Sequence, residues 1–390
     1  DEYMELSAIS NPHASFTYHA PDGEIKIYPR TIRHNPEPPK EIKPHPYGIE
    51  LGMLLKMLQD TKSHWLTGFL STDFSRVSTE TAEQICKAAG LSGKKRPRYV
   101  AGADAERLYK TIQATKLMAP PTNCLSPIGE KAILAGLFKQ IKGDFYTAVT
   151  RPPAVYRGNP FVIEAGLAWG RGPEQAALDA ANAQKAPLAE GESHDGDDNE
   201  LARVMRFANR VPLLYQQSAC STFKAVLDTT WKNYGIGQSR GAPPAGPLVI
   251  FVHMASVWVP FTSESKEAIA DYDEIRKEIT LALREAGRRL GVFIKRRDRA
   301  HAESKRRDIF ELYIEEVVGA CKRLKGGKLA EGKLKAQLTE IAKKITGGQK
   351  TDDLLDKNAG PHGLPHSIIV TADGIEGEIP VEGPVVVTEA

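Results

Sequence analysis

Lys266 is the residue in this chain whose type and setting best suit chemistry on a ligand. It lies in the polar run PFTSESKEAIADYDEI, residues 260–275, between a very apolar segment and a long basic one. A lysine ammonium is a compact charge with three donors on a long stem, which suits contact with a terminal phosphate. By residue type alone, however, a solvated loop lysine is the favoured interpretation.

A basic loop supplies a second group of candidates, in the run GKKRPR at residues 93–98. Its cations could contact DNA phosphates and release counterions, or they could simply be solvated. The residue types leave both interpretations open for the four cations, which are Lys94, Lys95, Arg96 and Arg98. Farther along, residues 276–307 hold twelve Lys or Arg against four Asp or Glu, which suits a polyanion partner or a soluble exposed helix.

The composition is that of an ordinary globular protein. A chain of 390 residues, 41% of them apolar, has room for about two or three domains, and its net charge of +3 says little about partners. The longest apolar run, at residues 247–261, is too short to span a membrane and predicts a buried strand. Four cysteines without disulfide or zinc spacing predict buried, inert thiols in a reducing intracellular compartment: Cys86, Cys124, Cys220 and Cys321.

Three other features predict no chemistry of their own. Residues 172–200 are acidic and lack aromatic side chains, which predicts a disordered surface insertion. His362 and His366 are four residues apart, but the prolines around them break a ligating helix, so no metal site is predicted. The run WKNY at residues 231–234 places an indole near a phenol, which favours a packed corner over a binding site. No group of residues forms a nucleophile constellation, so no catalytic residue is assigned.

Local signals divide the first part of the chain into a hairpin, a linker and helices. Residues 14–28 alternate apolar and polar around a Pro-Asp-Gly turn, which predicts a β-hairpin. Four prolines within residues 36–44 exclude both helix and central strand and mark a linker. From residue 47 to residue 142 the apolar period is helical, so an all-α module is expected.

Two helix starts in this module carry a capping signal. Ser78 or Thr79 is expected to cap a helix that Gly90 ends. Ser126 is expected to cap another helix, with Pro127 at its first position. Both helix N-termini would then offer free backbone amides that could hold a phosphate.

After residue 150, strand signals dominate. They cover residues 161–169, 204–215 and 247–259, with one helix at about residues 221–231. Two long stretches then keep a helical apolar stripe, at residues 275–293 and 310–324. A sheet backed by long helices is therefore expected, which is an α+β fold.

The C-terminal part carries weaker signals. A basic helix is expected at residues 333–345. The strand-like tail beyond it could be a small β addition or a flexible end.

Five long motifs occur in an order that resembles the B subunit of DNA topoisomerase VI. The resemblance covers roughly residues 5–324 and leaves residues 325–390 unmatched. The motifs are KEIKPHPYGIELG (40–52), KLMAPPTNCLSPIGE (116–130), VTRPPAVYRGNPFVIEAGLAWG (149–170), RFANRVPLLYQQSAC (206–220) and PFTSESKEAIADYDEI (260–275).

The resemblance implies four regions. Residues 1–39 would hold a remnant hairpin of a GHKL ATPase domain, and residues 40–145 a helix-two-turn-helix domain. Residues 146–325 would form a transducer domain, whose sheet is backed by long helices and contains a ribosomal-protein-like left-handed βαβ unit. Residues 326–390 would be a C-terminal extension. Because the Asn- and Glu-bearing helix, the DxGxG turn and the glycine-rich lid of a GHKL domain are not found, the chain is expected to be a fragment lacking most of that domain.

The resemblance also implies a function. It makes a phosphate contact, and not a solvated loop, the favoured interpretation of Lys266. The matching lysine of the family reaches from the transducer into the ATP site and reports the γ-phosphate. The whole enzyme would be an ATP-dependent type II topoisomerase that relaxes and decatenates duplex DNA by strand passage. ATP and Mg would be bound mainly by the missing ATPase domain, and no cofactor by this chain alone. None of the twelve tyrosines need be catalytic, because the DNA-cleaving tyrosine of the family belongs to the A subunit.

Implied partners are the topoisomerase VI A subunit, double-stranded DNA and a second B subunit, which would dimerise through the ATPase domain. The basic stretch at residues 276–307 would line a DNA-accommodating cavity. No membrane contact is implied, and a cytoplasmic, nucleoid-associated setting is expected. The end of the transducer's last helix should contact the A subunit through an apolar stripe that comprises Phe310, Tyr313, Ile314 and Val317.

Two other classes of function remain as alternatives. A non-catalytic DNA-binding adaptor derived from the same family would explain the missing ATP motifs, and an in-frame GHKL domain upstream of Asp1 would exclude it. A base-excision glycosylase also carries a helix-two-turn-helix module, but it needs an N-terminal proline nucleophile and usually a zinc finger, and neither is found.

Overall fold

The computed structural model describes residues 2–171, 200–324, 330–346, 367–371 and 374–376. Helices and a mixed sheet make up these residues, which confirms the α+β class. Two predictions, for the acidic segment at residues 172–199 and for the histidines at 362 and 366, lie outside the described residues. None of the helices in the described ranges is long and apolar enough to cross a membrane.

The N-terminal region contains a helix as well as the predicted hairpin. Strands β1 (Phe16–His19) and β2 (Ile25–Tyr28) pair antiparallel around Gly23, whose φ is +89°, so the hairpin prediction is confirmed. Helix α1 (Glu2–Ser10) was not anticipated, since its apolar residues follow no clear helical stripe. Its Leu6 and Ile9 are buried in a core formed mainly by the later domain.

A helical module follows the proline-rich linker, but its core covers only part of the predicted stretch 47–142, because the helix at Glu130–Gln140 packs in a different core. Its α-helices are α2 (Leu51–Asp60), α3 (Leu66–Asp73), α4 (Thr79–Ala88) and α5 (Ala103–Ala114). Ser78 caps α4 by accepting the Thr81 N–H at 3.1 Å, and Gly90 follows its end with φ +69°. These two local predictions are therefore confirmed. Apolar residues at helical spacing close a separate core, which includes Leu54, Leu58, Phe69, Ile85, Leu108 and Ile112.

The main sheet has eight strands in the described ranges. They are β3 (Phe145–Thr150), β4 (Ala154–Tyr156), β5 (Asn159–Trp169), β6 (Arg203–Ala208), β7 (Val211–Pro212), β8 (Leu248–Ser256), β9 (Ser367–Thr371) and β10 (Gly374–Glu376). Their order is β10-β9-β3-β5-β8-β6-β7, with β4 paired to β5. Among these strands β6 and β8 pair in parallel, and the other pairs are antiparallel.

The sheet differs from the sequence prediction in one strand. Residues 204–215 are not one strand, because the chain reverses between β6 and β7 at Asn209 and Arg210, whose φ angles are +47° and +68°. Such a two-residue turn usually has Asn-Gly, so Asn-Arg gave a weak hairpin signal.

Two further features of the sheet bear on the predicted regions. Strand β6, helix α7 (Ser221–Asp228) and strand β8 form the βαβ unit, whose left-handed crossover stays a prediction. Strand β9 pairs with β3 in the register Phe145↔Ile369. Of the two alternatives for the C-terminal tail, residues 367–371 and 374–376 thus adopt the β addition.

Helices cover both faces of the sheet because neighbouring residues along each buried strand point to opposite sides. Helix α6 (Glu130–Gln140) packs Ile133 and Leu137 on one face, beside Tyr146 and Phe207. Helix α8 (Asp273–Leu324) packs its first turns on the other face, and its 52 residues form one continuous helix where the sequence suggested two stretches.

Helix α9 (Glu331–Thr346), predicted at residues 333–345, packs on the end of α8. Ile314 and Val318 of α8 contact Leu334 and Leu338 of α9. The end of α8 therefore has one covered face.

Candidate functional site

Lys266 lies at the tip of a loop that joins β8 to α8, here called the sensor loop and comprising residues 260–270. The loop closes through the bridge Phe261↔Ile269 and the Thr262 N–H, which donates to Ala268 O at 2.9 Å. Lys266 is exposed and has φ +56°, a left-handed conformation that costs a non-glycine residue about 1–2 kcal/mol. Among the described residues its ammonium forms no ion pair. The charge is thus free to meet an anion.

The base of the sensor loop is anchored in the core. Ala268 and Ile269 are fully buried. The Ser221 N–H, at the start of α7, donates to Ile269 O at 2.9 Å, and the Ile269 N–H donates to Cys220 Sγ at 3.4 Å. The loop therefore has a fixed base and an exposed tip.

A second segment, not identified from the sequence, supports the tip. Gln216 Nε2 donates to Glu267 Oε2 at 2.7 Å, one residue from Lys266. The buried Arg206 donates to the carbonyls of Leu213 and Tyr215 at 2.8 and 2.9 Å. All of these lie in or beside two of the motifs quoted above, but no local signal indicates that the motifs are neighbours.

The basic loop contains one paired cation and three exposed ones. Lys95 Nζ lies 2.5 Å from Asp104 Oδ2, and Arg107 binds the other oxygen of that carboxylate. The hydrogen bond from Lys95 holds the pKa of Asp104 below its usual value. The other three cations of the loop are exposed: Lys94, Arg96 and Arg98.

Ser126 does not cap a helix, so that prediction is wrong. Helix α6 begins at Glu130 behind Gly129, whose φ is +87°, and the Ser126 hydroxyl donates to Glu37 O at 3.3 Å. The Ser-Pro pair resembled a cap and first helical turn, but the glycine allowed a later start.

The N-terminus of α6 is not free for a phosphate either, because the buried Glu164 carboxylate occupies it. The Ile128 and Gly129 N–H groups donate to its two oxygens at 2.8 and 2.7 Å. Burial alone would raise the pKa of Glu164, but the hydrogen bonds from His253 and from these two amides outweigh it and lower the pKa.

His253 completes a buried network around Glu164. The Arg210 N–H donates to its Nε2 at 2.9 Å, so Nε2 must be the acceptor and Nδ1 carries the proton. That Nδ1–H donates to Glu164 at 2.8 Å, and the Thr150 hydroxyl donates to the same carboxylate at 2.9 Å. The Glu164–His253 pair thus links β5, β8, the β6–β7 turn and the start of α6. Its role is therefore structural.

Helix α9 covers one of the four residues of the predicted apolar stripe on α8. Phe310, Tyr313 and Val317 are 42, 62 and 46% exposed, whereas Ile314 is only 7% exposed against α9. Three of the four stripe residues are therefore available to a partner, and Ile314 supports the helix pair.

One structural interpretation is confirmed, and a second holds for three of its four residues, since Cys321 is only half-buried. Trp231 is fully buried and its Nε1 donates to Val226 O at 2.9 Å, while Tyr234 meets its ring edge to face. The WKNY run is therefore a packed corner. All four cysteines are free thiols, three of them buried, and burial raises the pKa of Cys86 to about 11.

Strand β8 of the mixed sheet leads through the lysine-tipped sensor loop into one very long helix, α8. This arrangement defines a transducer-type domain. The family model of the topoisomerase VI B subunit transducer matches residues 120–306. The B subunit of type 2 DNA topoisomerase 6 from Methanosarcina mazei is 44% identical over 317 residues, which are 81% of this chain and 47% of that protein.

Two more distant relatives with the same name also match most of this chain. The protein from Archaeoglobus fulgidus is 38% identical over 361 residues, covering 92% of this chain and 55% of its own length. The protein from Thermococcus kodakarensis is 32% identical over 369 residues, covering 83% and 60%. The chain belongs to the family of topoisomerase VI B subunits, and it spans about half the length of these relatives.

Proposed function

We propose that this chain is the part of a topoisomerase VI B subunit that couples nucleotide state to the movement of a DNA gate. The whole enzyme is an ATP-dependent type II topoisomerase that relaxes and decatenates duplex DNA. The observation that carries the proposal is the exposed ammonium of Lys266, which has no ion pair among the described residues and lies at the tip of a loop whose base is buried. The names of the relatives support the enzyme class.

The sensor loop suits a switch that depends on the γ-phosphate. ATP and Mg are bound by an ATPase domain, and Lys266 contacts the terminal phosphate only while that phosphate is present. A contact made in one nucleotide state and absent in the other biases a two-state domain arrangement. Because α8 starts three residues after the loop and has 52 residues, it is a lever roughly 78 Å long.

DNA and protein partners are assigned to two other surfaces. Helices α2–α5, within residues 40–145, form the helix-two-turn-helix domain, whose exposed Lys94, Arg96 and Arg98 contact duplex DNA phosphates without reading sequence. Phe310, Tyr313 and Val317 on α8 form the contact with the A subunit. Two B subunits dimerise through their ATPase domains, and the enzyme acts in the cytoplasm on the nucleoid.

The decisive experiment replaces Lys266 in a B subunit that carries this chain, in complex with the A subunit. Lys266→Ala should leave the melting temperature unchanged, since the side chain is exposed and unpaired among the described residues. It should slow ATP-dependent relaxation at limiting ATP by tenfold or more, about 1.4 kcal/mol. Lys56→Ala, an exposed lysine on α2, is the matched control.

An unchanged relaxation rate for Lys266→Ala would remove Lys266 from the mechanism. If the wild-type assembly binds DNA but never relaxes it with ATP, the chain is instead the non-catalytic DNA-binding adaptor.

A further inference from the structure

The segment that precedes α7 runs beside the sensor loop and contacts it at two levels. At the base, the Ser221 N–H donates to Ile269 O. At the tip, Gln216 Nε2 donates to Glu267 Oε2 at 2.7 Å. Gln216 has φ +51°, a conformation that such a residue adopts only when its surroundings hold it there.

Arg206 holds this segment from below. Its side chain is 2% exposed, and its Nη2 donates to Leu213 O and to Tyr215 O, the residue directly before Gln216. Its Nη1 has no hydrogen-bond partner in the described part of the chain. A buried guanidinium is costly to desolvate, so its remaining bonds to the two carbonyls resist any displacement of the backbone at Gln216.

The charges beside Lys266 give the Gln216 contact a second consequence. Two carboxylates flank the lysine, Glu264 and Glu267. A carboxylate paired with the ammonium would weaken its attraction for a phosphate. The Glu267 carboxylate is held by the Gln216 amide instead.

We propose that Gln216 is a positioning residue for Lys266: it holds Glu267, which orders the loop tip and keeps the neighbouring carboxylate away from the ammonium. This inference rests on the proposed function of Lys266 as a phosphate contact. It assigns Gln216, within the YQQSAC run at residues 215–220, to support of the sensor loop.

A charge exchange tests the contact directly in this 390-residue chain. Gln216→Glu sets two carboxylates against each other, whereas Gln216→Glu with Glu267→Gln restores an amide–carboxylate pair with the roles reversed. Amide hydrogen exchange at residues 262–270 should be about fivefold faster in the single variant and near the wild-type rate in the double variant. Gln217→Glu adds the same charge at an exposed neighbour and should leave exchange unchanged.

The functional readout uses the complete complex of the A and B subunits. Gln216→Glu should raise the ATP concentration for half-maximal relaxation about fivefold with little change in kcat, and the double variant should restore it. Equal exchange in wild type and Gln216→Glu, or a double variant that stays fast, overturns the positioning role. So does normal ATP dependence in Gln216→Glu when Lys266→Ala is impaired. If Lys266→Ala itself is normal, the proposed function fails, and the exchange data alone then decide whether Gln216 orders the loop.

Discussion

The buried Glu164 carboxylate allows the sharpest test of how the structure is held together. Glu164 and His253 are both fully buried, and the carboxylate accepts four hydrogen bonds, from Ile128, Gly129, Thr150 and His253. Each oxygen receives two of these donors. In Glu164→Gln, one oxygen becomes an NH2 group. At the Oε2 position this group faces the Ile128 N–H and the His253 Nδ1–H; at the Oε1 position it faces the Gly129 N–H and the Thr150 hydroxyl, which can turn to accept, so at least one donor loses its acceptor.

The magnitude follows from the one orphaned donor. A buried donor without a partner costs about 1–3 kcal/mol, so the free energy of unfolding should fall by about that amount. For a domain of about 200 residues this lowers the melting temperature by roughly 2–12 °C. Differential scanning calorimetry at neutral pH is the assay, and Glu83→Gln on the exposed side of α4 is the control, expected within about 0.5 kcal/mol of wild type.

The pH dependence adds a second measurement on the same variant. The pKa of Glu164 is lowered in the folded protein. Its contribution to the free energy of unfolding is therefore present above the ordinary pKa of 4.5 and is lost as the pH falls through the folded-state pKa. The stability difference between wild type and Glu164→Gln should therefore shrink in acid. A melting temperature for Glu164→Gln within about 1 °C of wild type at neutral pH would refute the reasoning.

Three more predictions concern the proposed partners. The exposed cations of the basic loop are Lys94, Arg96 and Arg98. Replacing all three with alanine should lower the slope of log K against log salt concentration for duplex DNA by at most about three. An unchanged slope would contradict their contact with DNA. Lys95→Ala should change that slope little, because Asp104 already pairs with Lys95. Tyr313→Ala with Val317→Ala should weaken assembly with the A subunit more than tenfold at constant melting temperature, whereas Ile314→Ala should lower the melting temperature. Pull-down measures assembly and calorimetry measures stability. The reverse pattern would show that the interface lies elsewhere. The isolated chain should not bind a nonhydrolysable ATP analogue, and micromolar binding by titration calorimetry would contradict this.

The sequence by itself determined the features that depend on neighbouring residues. The Pro-Asp-Gly turn, the Ser78 cap, the Gly90 stop and the α+β order all follow from local conformational preferences and apolar periods. The five ordered motifs also sufficed to indicate the family and to single out Lys266. These signals act within a few residues, so the folded chain is not needed to see them.

Only the tertiary structure decided which distant groups satisfy one another. Ser126 offered a plausible cap, yet Glu164, 36 residues from Ile128, binds the amides at the start of α6. Gln216 reaches Glu267 across 51 residues, and α9 covers Ile314 while leaving Tyr313 exposed. A local period can indicate that a side chain is apolar or can accept a hydrogen bond. It cannot identify the partner, because the partner is fixed by the packing of strands and helices far apart in the chain.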